Sequence, residues 1–165
     1  MRLFVLRHGM TSEADTDAGR MLSEKGVLEV ENVLRMRLDE LTNVRKIYSS
    51  PLLRVKQTLR VAKRMIGFHG ALTESPYLKT GSRLPEIVSF ANELDFDGGD
   101  VLVSSHQSCT SILVLWMTGE DIFIPNGSLL AIDVDRPERG AGEVLWQVSH
   151  NGDGIKRTSG YIDQI

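Results

Sequence analysis

Apolar positions along the chain fall into two patterns, short unbroken runs and longer stretches at helical spacing. Leu3 to Leu6 is a run of the length expected for a strand buried on both faces. Lys46-Ile47-Tyr48, Ala71 to Glu74 and Val101-Leu102-Val103 predict three more strands. Helices are predicted between them. One opens at Leu22-Ser23, aligns Val27, Val30, Leu34, Leu38 and Leu41, and ends at Thr42-Asn43, with Gly26 weakening its first turn. A second has Ser50 as N-cap, Pro51 at its first position, Leu52, Val55, Leu59, Ala62 and Ile66 on one face, and Gly67 as terminator. A third covers Glu86 to Leu94. The fourth follows His106, with Ile112, Leu115 and Trp116 in its core stripe and Gly119 as its stop. Met10 to Arg20 and Ser75 to Pro85 read as loops and Asp95 to Asp100 as a turn. After the Asn126-Gly127 turn come two alternating strands, Leu129 to Val134 and Val144 to Val148. The stretch between them, Arg136 to Gly142, is too long for a tight hairpin.

Four strand–helix repeats and a final strand pair predict an α/β fold: a mostly parallel sheet with helices on both faces and antiparallel edge strands. No internal repeat, low-complexity segment or linker interrupts the 165 residues, so a single domain spanning 1–165 is expected. The composition, 41% hydrophobic and 25% charged, is that of an ordinary soluble domain. It changes the picture in three respects. A net charge of −3 gives no support for a nucleic-acid partner. One cysteine, Cys109, excludes an internal disulfide and suits a reducing compartment. No leader pattern opens the chain and no apolar stretch is long enough for a bilayer, so a cytoplasmic protein without a membrane partner is expected. The composition specifies no oligomeric state.

The chemistry is concentrated where strands stop. The first strand ends in Arg7-His8-Gly9: a planar fork of donors that fits phosphate oxygens, a nitrogen nucleophile that is largely neutral at pH 7, and a residue whose missing side chain lets a ligand approach. Arg54 lies one turn into the helix after the second strand, away from its apolar stripe, and His106 follows the fourth strand. In open α/β sheets ligands bind at the carboxyl ends of strands. Taken singly, Arg54 also fits a solvated helix position and His106 a helix cap. Together, two guanidiniums and two imidazoles at one sheet edge would surround a tetrahedral dianion and offset its charge.

These residues carry a family resemblance. Arg7-His8-Gly9 resembles the signature of the histidine phosphatase superfamily, the phosphoglycerate-mutase-like fold. Ser50-Pro51-Leu52-Leu53-Arg54-Val55-Lys56-Gln57-Thr58 is similar to its second motif, Ser-Pro-x-x-Arg followed by Gln-Thr. Val101 to His106 resembles its third, and Asn126-Gly127-Ser128 the stretch after it. The short length and Arg20-Met21-Leu22-Ser23-Glu24-Lys25-Gly26 look most like the SixA-type phosphohistidine phosphatases. The resemblance implies a three-layer α/β/α fold, His8 as nucleophile, Arg7, Arg54 and His106 as a phosphate clamp, and Arg20 as a further substrate contact beside Gly9. It implies a metal-independent hydrolase with no cofactor, acting on phosphohistidine carried by a partner protein. The alternatives are a phosphomonoesterase for a small metabolite and a catalytically silent phosphate-binding domain.

The chain departs from the family at the carboxylate that, in mutases and broad-specificity members, protonates the leaving oxygen from a loop between the second and third motifs. Here that column falls on Tyr77, and the candidates left are Glu74 and Glu86. No P-loop or metal-ligand spacing accompanies the motifs. His69 and His150 read as surface residues, Cys109 as packing, Trp116 and Trp146 as core, and Arg60, Lys63 and Arg64 as a solvated basic face.

Overall fold

A computed structural model of the chain describes residues 1–158; the last seven positions of the expected 1–165 domain lie outside the described residues. The elements run β1 (Arg2–Arg7), α1 (Glu24–Met36), β2 (Val44–Ser49), α2 (Leu53–Ile66), β3 (Leu72–Glu74), α3 (Leu84–Asn92), β4 (Asp100–Ser105), α4 (Gln107–Thr118), β5 (Leu129–Asp133), β6 (Glu143–Ser149) and β7 (Gly152–Asp153). All seven strands form one sheet in the order β3-β2-β4-β1-β5-β6-β7. β3, β2, β4 and β1 pair in parallel, while β5, β6 and β7 join antiparallel. This is the three-layer α/β/α arrangement expected, with its antiparallel strands on one side.

Alternation along β1 builds both faces of the core. Leu3 and Val5 point into a cluster completed by Ile87 and Phe90 of α3 and by Leu113, Val114 and Met117 of α4. Phe4 and Leu6 point into a second, completed by Val30, Val33 and Leu34 of α1 and by Val55, Leu59 and Ala62 of α2. All four strand residues are fully buried, each contributing about 1.5–3 kcal/mol of apolar transfer.

Several boundaries differ from the sequence pattern for identifiable reasons. α1 stops at Met36, because Arg37 at φ −133° leaves helical geometry, and Leu38–Leu41 continues as a 3₁₀ turn. The Arg37 guanidinium stacks 4.8 Å above the Trp146 ring. α2 opens at Leu53, not at Ser50-Pro51, and its N-cap residue Leu52 makes no side-chain bond; the Ser50 hydroxyl accepts from the Leu52 amide at 3.4 Å and otherwise faces His106. α3 takes in Leu84 and Pro85 in its first turn, and Glu86 caps it by accepting from the Arg83 amide at 3.0 Å. In α4 the buried apolar residues are Cys109, Ile112, Leu113, Val114 and Met117, so Ile112 lies in the core as expected, whereas Leu115 and Trp116 are half-buried. That helix is apolar almost all round, so its periodicity gives only a weak direction. β7, two residues long, is below the length at which alternation is visible.

Candidate active site

The sheet order decides which chain segments meet. β4 inserts between β1 and β2, with Arg7 in register with Ser105 and Ser49 with Ser104. The residues that follow these pairs, His8, Ser50 and His106, therefore leave the sheet side by side at one carboxyl edge. The His8 amide donates to the Ser105 carbonyl at 3.2 Å, the Ser50 amide to that of Ser104 at 3.2 Å, and the Gly127 amide to that of His8 at 3.0 Å. The turn Asn126-Gly127-Ser128 thus closes the wall, with Gly127 at φ +65° in the left-handed region that glycine adopts without strain.

His8 is 9% exposed. Its Nδ1 lies 2.8 Å from the Gly9 carbonyl oxygen. A carbonyl can only accept, so Nδ1 carries the proton and Nε2 keeps a lone pair. Burial pushes the pKa down to about 4; the Gly9 bond opposes this, and Arg54, Arg7 and Arg20 push it lower still. His106, 5% exposed, stands edge-on to His8 with ring centroids 5.4 Å apart. Arg54 Nη2 lies 3.2 Å from its Nδ1 and Ser50 Oγ 2.8 Å from its Nε2. Because guanidinium only donates, Nδ1 accepts and Nε2–H donates to Ser50. Burial, then Arg54, lower this pKa to about 3. Both rings are neutral at pH 7, and guanidiniums supply the positive charge.

Arg54 is the second residue of α2, not one turn in, and is 4% exposed. That burial rules out the solvated-helix reading. Arg7 is half-buried; its Nη1 donates to Gln107 Oε1 at 2.5 Å and to the Ile124 carbonyl at 2.8 Å. Arg20 is exposed, yet close enough to lower the His8 pKa. The reading of Gly9 as room for a ligand is also corrected. A Cβ there would lie 2.5 Å from the Gly26 carbonyl oxygen, and one on Gly26 would collide with the Met10 carbonyl oxygen. The two glycines let the first turn of α1 pack against the backbone that carries His8. Ser23, the N-cap of α1, accepts from the Gly26 amide and donates to the Met10 carbonyl, both at 3.0 Å. From α2, Thr58 Oγ1 accepts from the Gly9 amide at 3.2 Å and Gln57 Oε1 from the Leu22 amide at 2.7 Å.

Neither glutamate candidate lies in this cluster. Glu74 pairs with Lys56 at 2.8 Å, and Glu86 is occupied at the α3 cap, where backbone hydrogen bonds hold its carboxyl below the usual range. Tyr77 packs against the α3–α4 core. Four site residues had no role in the sequence reading: Ser50 as partner of His106, Gln107 as partner of Arg7, and Thr80 and Asp17, which accept from Arg54 Nη2 at 3.3 and 3.1 Å. Ser50 and Gln107 adjoin motif residues and could have been suspected on that ground. Asp17 and Thr80 carry no local signal. Among the described residues no group of three or more His, Cys, Asp or Glu side chains is gathered as metal ligands.

Comparison with known proteins gives the same class. Residues 3–79, which contain the first two motifs of the resemblance, match the sequence profile of the histidine phosphatase superfamily (branch 1), and the fold is phosphoglycerate-mutase-like. Among solved structures, the protein histidine phosphatase SixA in complex with tungstate is similar over 90% of this chain and 97% of its own, with a TM-score of 0.81 and 24% identity. A protein from Agrobacterium tumefaciens assigned as a SixA phosphohistidine phosphatase is 20% identical, with a TM-score of 0.72 over 89% of this chain and 96% of its own. A phosphoserine phosphatase of Entamoeba histolytica, a histidine-to-alanine mutant in complex with phosphoserine, is 14% identical, with a TM-score of 0.61 over 87% and 94%. At these identities the likeness shows the fold. No curated protein matches the chain in sequence.

Proposed function

We propose that this chain is a phosphatase that hydrolyses phosphohistidine on a partner protein through a phosphorylated His8. The observation that carries the reading is the His8 ring: buried, neutral, its tautomer fixed by the Gly9 carbonyl so that Nε2 keeps its lone pair, with Arg54, Arg7 and Arg20 near enough to lower its pKa. Nε2 attacks phosphorus in line, while Arg7 and Arg54 hold the equatorial oxygens and stabilise their charge in the transition state. The approaching dianion favours a protonated His106, which can then donate Nδ1–H once Arg54 turns to the phosphate. Water hydrolyses the phosphoramidate in the second step. Fold-level likeness to SixA supports phosphohistidine as the substrate class, and the same fold in a phosphoserine phosphatase is what favours a small phosphomonoester as the second reading.

Rapid quench with labelled substrate tests the proposal. Label should appear on the protein in a linkage that survives alkali and is lost in acid, and should be absent from His8→Ala. Acid-stable label, or label retained by His8→Ala, contradicts it. Faster turnover of a phosphohistidine protein than of a panel of phosphate monoesters separates the first reading from the second.

A further inference from the structure

Among the described residues, one carboxylate touches the clamp. Asp17 Oδ2 is 3.1 Å from Arg54 Nη2, and the Asp17 main-chain oxygen is 2.9 Å from Nη1. Its side chain is 55% exposed while that of Arg54 is 5% exposed, so the contact lies at the mouth of the site. The loop bearing it is tied at its base by the Thr11–Leu22 bridge and by the Ser12 amide to the Met21 carbonyl at 2.9 Å. The Arg20 amide donates to the Asp17 carbonyl at 3.3 Å. His106 feels the carboxylate's charge.

We propose that Asp17 protonates the leaving group, an assignment that rests on the phosphatase reading above. A phosphoryl dianion needs Arg54 Nη2, the donor that Asp17 Oδ2 occupies in the free protein. Substrate displaces the carboxylate, while the bond from Nη1 to the Asp17 carbonyl keeps the residue beside the phosphoryl oxygens. Two like charges in contact favour the protonated carboxyl, so substrate binding itself loads the acid. The His8 Nε2 lone pair then forms the bond to phosphorus as the bond to the leaving nitrogen or oxygen breaks. The leaving atom keeps that electron pair and takes the Asp17 proton. In the second step the carboxylate takes a proton from water as the water oxygen bonds to phosphorus and the P–Nε2 bond breaks. Phosphate departs, the carboxyl gives its proton to solvent, and the carboxylate returns to Arg54.

The test is single-turnover phosphorylation of His8 by aryl phosphates whose phenols rise in pKa, in the unaltered protein, Asp17→Asn and Asp15→Asn. Asp15 is exposed on the same loop and controls for loss of a charge. In the unaltered protein and in Asp15→Asn the rate should depend weakly on the phenol. In Asp17→Asn it should fall less than about tenfold with a nitrophenyl ester and on the order of 10²–10³-fold with phenyl phosphate, the range for a lost general acid. An Asp17→Asn series parallel to that of the unaltered protein, or an Asp15→Asn series as steep as that of Asp17→Asn, overturns the assignment while leaving the phosphatase reading intact. Absence of label on His8 from every ester in the unaltered protein overturns the assignment of Asp17, and absence of label from a phosphohistidine protein as well overturns the phosphatase reading.

Discussion

His8 and His106 are buried next to guanidinium groups, and that circumstance makes them measurable. With pKa values near 4 and 3, neither imidazole should titrate between pH 5 and 8 when ring resonances are followed by NMR. Arg54→Ala should move both transitions upward, because Arg54 lowers both; unmoved transitions would mean that Arg54 has no part in setting them. The same variant should lose turnover on the order of ~2.7–4 kcal/mol, as lost oxyanion donors do. The shifts also fix a stability window. The unfolded chain binds protons to these rings below about pH 6.5, the folded chain only below about 4 and 3. Unfolding therefore takes up protons in that interval, and stability should fall as pH drops from about 6.5 towards 4. Urea unfolding at pH 7 and pH 5 should show the loss, and His106→Gln should lessen it.

At the scale of elements, the turn that carries His8 is gripped from two helices. α1 presents Ser23 and Gly26, and α2 presents Gln57 and Thr58, to the backbone from Gly9 to Leu22. Helix propensity alone predicts that Gly26→Ala stabilises α1 by about 1 kcal/mol. The close approach of Met10, whose amide nitrogen would lie 2.7 Å from the added Cβ, predicts the reverse. Gly26→Ala should lower the urea midpoint and, by shifting the turn that carries His8, reduce turnover as well. A stabilised variant with full activity would show that the two segments can separate at no cost. Gly26 weakens a helix start in the sequence pattern because periodicity contains no information about what crosses above a helix.

For the whole molecule, the fold gives both glutamate candidates partners away from the His8 cluster. Tyr77 packs against the α3–α4 core, while Glu74 and Glu86 are held by Lys56 and by the α3 N-terminus. Glu74→Gln and Glu86→Gln should each change hydrolysis of a phosphohistidine protein by less than about tenfold, a smaller effect than a lost general acid gives. A larger loss in either would return the acid to the loop between the second and third motifs. Activity should persist in excess chelator, since the proposed charge stabilisation comes from Arg7 and Arg54.

Much of this architecture was legible in the order of residues. Unbroken apolar runs mark β1 and β4 because a strand covered on both faces has no polar side, and glycines at 67 and 119 mark helix ends because φ of +67° and +74° is strained for other residues. Arg7, His8 and His106 were legible because each stands where an apolar run stops, and Arg54 because it lies off the apolar stripe of α2; the structure brings all four together. What the sequence could not contain is the strand order. Only the insertion of β4 between β1 and β2 places Ser50 against His106, which turns an expected helix cap into an imidazole partner. Burial is likewise a property of the fold: it makes neutral acceptors of two histidines that composition would count as potential cations. The contact of Asp17 with Arg54 joins positions 37 residues apart across a loop and a helix. No local pattern encodes it, since it exists only once α2 has docked and brought Arg54 to the carboxyl edge of the sheet.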